Sequence, residues 1–209
     1  MILGGGVVGT NAAAVALGLG ADVTILDRSL DRLRELDALF AGRCRTVFAS
    51  ALTLEELLPA ADLVIGAVLV TGARAPHVIK RGHLAAMKPG AVIVDVSIDQ
   101  GGCVETSRPT THSEPTYDVD GITHYCVANM PGALPITSTR ALANATLPYL
   151  LRLADEGVGN ALATDPGFLA GLNVAGGRVT YEPVARAQKL ECADPAAAVE
   201  EAVASMAAS

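Results

Sequence analysis

Apolar residues fall into two rhythms that alternate along the first half of this chain. Short, nearly unbroken apolar runs at residues 1–3, 21–27, 43–48, 62–70 and 91–96 read as strands, because a parallel strand buried on both faces carries no polar side. Between them, apolar residues recur at intervals of three and four, the spacing that lines one face of a helix. Residues 8–19 are expected as the first helix, closed near Gly20, with Ala12, Ala13, Ala14 and Ala16 permitting close contact with a sheet. Ser29 is a candidate N-cap for a helix through Phe40, with Leu30, Leu33, Leu36, Leu39 and Phe40 as its buried stripe. A short helix is expected at 53–58, a loop at 72–76 and a helical segment at 80–87, before the Lys88-Pro89-Gly90 turn into the fifth strand.

Strands that alternate with helices in this way require right-handed crossovers. The expected fold class is therefore α/β, a doubly wound parallel sheet of the Rossmann type. Residues 124–127 read as a sixth strand. Beyond it, 137–155 carries Leu142, Ala145, Tyr149 and Leu153 at helical spacing, and is too long for a loop. That helix is expected to lead into a second, mainly helical domain, with further helices at 165–172 and in the alanine-rich 195–209.

The first connection carries candidate chemistry. Gly4, Gly6 and Gly9 follow an apolar stub and open a helix-patterned stretch, giving the G-x-G-x-x-G spacing of a dinucleotide-binding unit. The first glycine makes the tight turn, the second admits a pyrophosphate, and the third lets the helix pack on the sheet. Asp27 ends the second strand 18 positions after Gly9, near the distance at which a carboxylate takes up an adenosine ribose. Its charge would repel a 2′-phosphate and so favours NAD over NADP, a preference tempered by Arg28.

Composition narrows the partners. The chain has 209 residues, a net charge of −7 and a pI near 5.0, which argues against nucleic acid and anionic membranes. With 51% hydrophobic residues but only 3% aromatic and no Trp, the core must be built from Val, Leu, Ile and Ala. Cys44, Cys103, Cys126 and Cys192 show no paired or metal-ligand spacing. They are expected as buried free thiols in a reducing cytoplasm, with no metal site. The uncharged stretch 1–21 has no basic leader and too many glycines for a signal peptide or a span.

Ligands on such sheets lie at the carboxyl ends of the strands. There Asp99 follows the fifth strand and precedes Gly101-Gly102, a position expected to be partly desolvated and close to a nicotinamide. Asn129 and Met130 follow the sixth strand at the same edge.

Taken together, residues 4–13, the strand-and-loop 62–70, Met87-Lys88-Pro89-Gly90, Val96-Ser97-Ile98-Asp99-Gln100-Gly101-Gly102 and Val127-Ala128-Asn129-Met130-Pro131 resemble the alanine dehydrogenase family. The resemblance implies oxidation of L-alanine by NAD and water to pyruvate, ammonia and NADH, in a cytoplasmic homo-oligomer. It assigns a catalytic role to Asp99 and ribose binding to Asp27, and lines the cofactor with Val68, Leu69, Asn129 and Met130. The full cofactor-binding set expected is Gly4, Gly6, Val7, Val8, Gly9, Asp27, Arg32, Val68, Leu69, Val96, Ile98, Asp99, Asn129 and Met130. Residues 1–135 would be the NAD-binding domain and 136–209 the returning part of the substrate domain. The family's substrate-binding segment, which precedes the first strand and supplies a lysine and a histidine, is expected to be missing, as in a truncated chain, a separately encoded half that an N-terminal segment would complement, or a mispredicted start. A nucleotide-binding module without turnover, or a relative of the transhydrogenase nucleotide-binding subunit, are the alternatives.

Overall fold

The computed structural model describes residues 1–70 and 75–207, and it divides into two compact units, one ending at Ala133 and the other beginning at Leu134. The first unit holds a seven-stranded sheet. Its strands are β1 (Ile2–Leu3), β2 (Thr24–Asp27), β3 (Arg45–Phe48), β4 (Leu63–Gly66), β5 (Val92–Asp95), β6 (Thr116–Val119) and β7 (Ile122–Tyr125), in the spatial order β3-β2-β1-β4-β5-β7-β6. All neighbours pair in parallel except β6, which joins β7 antiparallel at the edge. This is the doubly wound arrangement expected, with the strand order reversing beside β1.

The helices follow the capping and packing signals. Helix α1 (Val7–Gly18) starts directly from the glycine turn, and its Ala13 is fully buried with Ile2, Val23, Ile25 and Leu36. Helix α2 (Leu30–Phe40) is capped by Ser29, whose side chain accepts from the Arg32 amide. Leu33, Leu36 and Phe40 are its buried face, whereas Leu30 and Leu39 are 55% and 59% exposed. The expected stripe was too wide, because at 100° per residue only the 33-36-40 ridge faces the sheet. Helix α3 (Ala51–Leu57) begins with a reciprocal Ser50–Thr53 cap, and α4 (Arg81–Leu84) is a single turn. The expected loop at 72–76 lies partly outside the described residues.

The sixth strand begins two residues earlier than expected, at Ile122, because β6 and β7 form a hairpin around Asp120-Gly121. Both turn residues have positive φ, 53° and 82°, the backbone that a two-residue hairpin with the correct twist requires. The second unit contains α5 (Pro135–Ala163), broken at Gly157 where φ is 74°, then α6 (Pro166–Leu169), capped by Asp165. It continues through a hairpin of β8 (Val174–Ala175) and β9 (Arg178–Val179), α7 (Glu182–Gln188) and α8 (Pro195–Ala207). The hairpin turns on Gly176-Gly177, both at positive φ. Among the described residues no helix is long and apolar enough to cross a membrane.

A side chain at position 9 would collide with the carbonyl oxygen of Gly4 and come within 3.2 Å of Ile2 Cγ2. Both obstacles belong to the buried β1 and its turn, so they cannot give way cheaply. Gly9→Ala is expected to cost about 2–3 kcal/mol, a fall in melting temperature of roughly 5–10 °C. Thermal unfolding followed by circular dichroism measures it.

Candidate functional site

Because β1, β2, β4, β5 and β7 run the same way, the segments that leave them share one edge of the sheet. The turn after β1 is the tightest of these. A Cβ on Gly4 (φ 96°) would lie 2.5 Å from the Ala67 carbonyl oxygen, so β1 and β4 end in near contact. At Gly6 the situation is opposite, with nothing among the described residues within 4 Å of the position a Cβ would take. Gly6 is also the N-cap of α1, where no side chain caps the helix and no acidic residue occupies the first turn. Val7 and Val8 are exposed beside it and Gly9 is buried. An uncapped helix start with an open approach is a place for an anion, since its amides and dipole favour negative charge.

Asp27 closes one side of this turn. Its Oδ2 accepts from the Gly5 amide at 2.7 Å and its Oδ1 from the Ser29 amide at 2.8 Å. Arg32 braces the same turn from α2. Its Nε donates to the Gly5 carbonyl at 2.7 Å, one Nη donates to Thr10 Oγ1 at 2.9 Å, and the other pairs with Glu35 at 2.6 Å. The Thr10 hydroxyl in turn donates to the Gly6 carbonyl at 2.8 Å. Arg32, counted among the cofactor-binding residues from sequence, is thus engaged in holding the glycine turn.

The loops after β4 and β5 are joined. Val68 is half-buried and Leu69 exposed, and the Ser97 hydroxyl donates to the Val68 carbonyl at 2.7 Å. β5 ends at Asp95, one residue before the expected end, and Val96–Gln100 is a 3-10 turn. Within it Val96 is half-buried and Ile98 buried, while Asp99 is exposed. The desolvated acid at this edge is therefore Asp95, 0% exposed, and not Asp99. The strand's alternation turns Ile93 and Asp95 inward, whereas the 3-10 turn lifts Asp99 clear of the core. Next to Asp99, Gln100 Oε1 is a buried side-chain oxygen without a hydrogen-bond partner among the described residues. Asn129 is exposed and Met130 half-buried beyond β7, where the Asn129 carbonyl is bonded to His112 Nε2 at 2.7 Å.

Residues 1–182 match the family described as alanine dehydrogenase/PNT, C-terminal domain. The chain belongs to that family. An alanine dehydrogenase of Halomonas elongata is 60% identical over 198 residues, which are 95% of this chain and 53% of that protein. A solved L-alanine dehydrogenase matches with a TM-score of 0.80 at 49% identity, over 90% of this chain and 52% of that one. A transhydrogenase from Sinorhizobium meliloti matches with a TM-score of 0.65 at 27% identity, over 76% and 45% respectively. The chain spans about half the length of the curated relatives it matches.

In this alanine dehydrogenase/PNT C-terminal domain, the residue that sequence reasoning passed over is Asp95. An acid inside an otherwise apolar strand was the available signal, since a buried carboxylate must be met by donors. Five meet it. Oδ1 accepts from the Ser97 amide at 3.1 Å and the Cys103 thiol at 3.5 Å. Oδ2 accepts from the amides of Cys103 at 2.9 Å and Val104 at 3.1 Å, and from the Ser107 hydroxyl at 2.6 Å. Cys44, Cys103 and Cys126 are buried free thiols as expected, whereas Cys192 is exposed on the surface.

Burial, with the Asp95 carboxylate beside it, pushes the Cys103 thiol from its ordinary 9.0 up to about 12. The folded state thus holds this proton more tightly than the unfolded chain does. The resulting stability is complete below pH 9 and is lost as the pH climbs from 9 toward 12. Urea unfolding midpoints should therefore fall more steeply between those limits for the parent chain than for Cys103→Ala, which has no thiol to titrate.

Proposed function

We propose that the first unit binds NAD along the carboxyl edge of its sheet and that the chain is the cofactor-binding part of an alanine dehydrogenase. The observation that carries this reading is the uncapped, unobstructed start of α1 at Gly6, flanked by a carboxylate at the end of β2. The diphosphate would rest on the amides of Gly6, Val7 and Val8, with Gly4 and Gly9 allowing the turn. Asp27 would accept from a ribose hydroxyl through lone pairs that Gly5 and Ser29 leave free, and its charge would disfavour a 2′-phosphate. Val68, Leu69, Val96, Ile98, Asn129 and Met130 would line the remainder, Ile98 from within the core.

NAD when bound accepts a hydride from the substrate carbon. The reaction proposed is the oxidation of L-alanine with water to pyruvate and ammonia. Asp99, exposed on its turn, would take a proton or steady the cationic product of hydride loss. Val68 and the loop after β5 would exclude water from that point, strengthening the electrostatics. The second unit would belong to the substrate domain, and the setting is proposed to be the cytoplasm. A module that binds nucleotide without turnover would need the same first unit, and the solved transhydrogenase shares its architecture.

Calorimetry with NAD tests the first claim, and absence of binding by the folded chain would refute it. Asp27→Ala is expected to weaken NAD about 10- to 100-fold, the loss of a hydrogen bond to a charged group. In a complete enzyme that carries this chain, Asp99→Asn is expected to lower L-alanine-dependent NADH formation about a hundredfold while sparing NAD affinity. NADH formation by the chain also excludes the module reading.

Helix α5 exposes Ile136, Leu142, Leu147, Leu150 and Leu151, each 50% or more accessible. We infer that a second copy of the chain covers this apolar surface. Concentration-dependent association in size-exclusion chromatography is expected, and Leu147→Glu with Leu151→Glu should shift the chain toward monomer.

A further inference from the structure

The loop that carries Asp99 is folded around a different acid. Asp95 is wholly buried, and its donors lie on both sides of Asp99 in the chain, Ser97 before it and Cys103, Val104 and Ser107 after it. A carboxylate that only accepts, met from both directions, can be satisfied only if the chain doubles back over it. Gly101 and Gly102 make that reversal at φ 92° and 78°. A Cβ on Gly102 would lie 2.8 Å from Asp95 Oδ2 and 3.0 Å from Ser107 Cβ, so the second glycine is demanded by the acid beneath it. On the far side, a side chain at Gly66 would collide with Cys103 Sγ and lie 3.4 Å from Asp95 Oδ1. The end of β4 is therefore shaped to the same cluster.

The wrapped loop is then fastened outward at two points. The Ser97 hydroxyl holds the Val68 carbonyl, and the Ala75 amide donates to the Gln100 carbonyl at 3.0 Å. Asp99 sits between those two fastenings, exposed on the turn that they hold.

We propose that Asp95 is a positioning residue, whose buried carboxylate holds the Val96–Gln100 turn and the following residues to Val104 in the one shape that presents Asp99 at the carboxyl edge of the sheet. The proposal rests on the reading of Asp99 as the reacting carboxylate. An amide at position 95 tests it closely, because Asn keeps the volume but turns one acceptor into a donor facing N–H or S–H groups. Asp95→Asn must therefore release one branch of the cluster. Ser107→Ala removes a single donor at the periphery and serves as the milder variant should Asp95→Asn fail to fold.

Two measurements decide the matter, exchange on this chain and kinetics in a complete enzyme that carries it. In amide hydrogen exchange, Asp95→Asn is expected to speed exchange at least about tenfold across 96–104, with α1 and β2 unchanged and Ser107→Ala in between. In a double-mutant cycle on NADH formation from L-alanine, Asp95→Asn is expected to lower kcat about a hundredfold in the parent but less than about threefold when Asp99 is already Asn, because both changes remove one function. NAD affinity should fall less than kcat, by no more than about tenfold, because Val96 and Ile98 lie in the loosened loop whereas the glycine turn and Asp27 are untouched. Unaltered exchange at 96–104, or a kcat loss of equal size in both backgrounds, overturns the proposal. Absence of any alanine-dependent turnover by the complete enzyme would instead overturn the functional reading, and the exchange arm would still decide whether Asp95 holds the loop.

Discussion

The common direction of six neighbouring strands is the constraint on which the rest of the first unit depends. Parallel strands need crossovers, the crossovers place helices on the faces, and every strand then delivers its carboxyl end to the same edge. Gly4, Asp27, Val68, Asp95 and Asn129 are far apart in sequence and meet at that edge for this reason alone. The edge is the candidate binding ground because one of its connections, the turn into α1, leaves a helix start uncapped. Gly9 makes that start possible by letting the helix descend onto the Gly4 carbonyl.

Polar groups divide sharply by their surroundings. Ion pairs such as Arg34–Asp31 and Arg186–Glu182 lie on exposed helix faces, where each contributes at most about 1 kcal/mol. Asp95 is different, since an acid removed from water is tolerated only when its lone pairs are filled. Its five donors are supplied almost wholly by the loop that follows it. The demand of one buried carboxylate thereby becomes the conformation of the loop that carries Asp99. His124 shows the same economy nearby, fully buried with Thr106 Oγ1 at 2.8 Å on one ring nitrogen and the Ile122 carbonyl at 2.9 Å on the other.

The second unit follows other rules. Its long helix is amply apolar yet largely uncovered, and Gly157 breaks it where the chain needs a positive φ. Arg152 gathers the segment beyond the break, bonding Glu156, Asp165 and Thr164. Asp165, held below the ordinary carboxylate range by the Phe168 amide and then by Arg152, caps the next turn.

Sequence alone determined the parallel order of the sheet, the glycine turn, the role of Ser29 as a cap and the position of Asp27, because these rest on local spacing and on apolar runs that only a covered strand tolerates. The β6–β7 hairpin was also written locally, in Asp120-Gly121 between alternating residues, and was overlooked because its strands carry polar side chains. Tertiary structure decided the rest. Which of two acids four residues apart is buried depends on where β5 stops, and that is set by the pairing of Gly66 with Asp95 in β4 and β5. Leu39 and Leu30 look like core until the sheet shows which ridge of α2 it can accept. The reason Gly101 and Gly102 are glycines lies in a carboxylate whose burial no spacing rule records, since burial belongs to the assembled fold and not to any stretch of it.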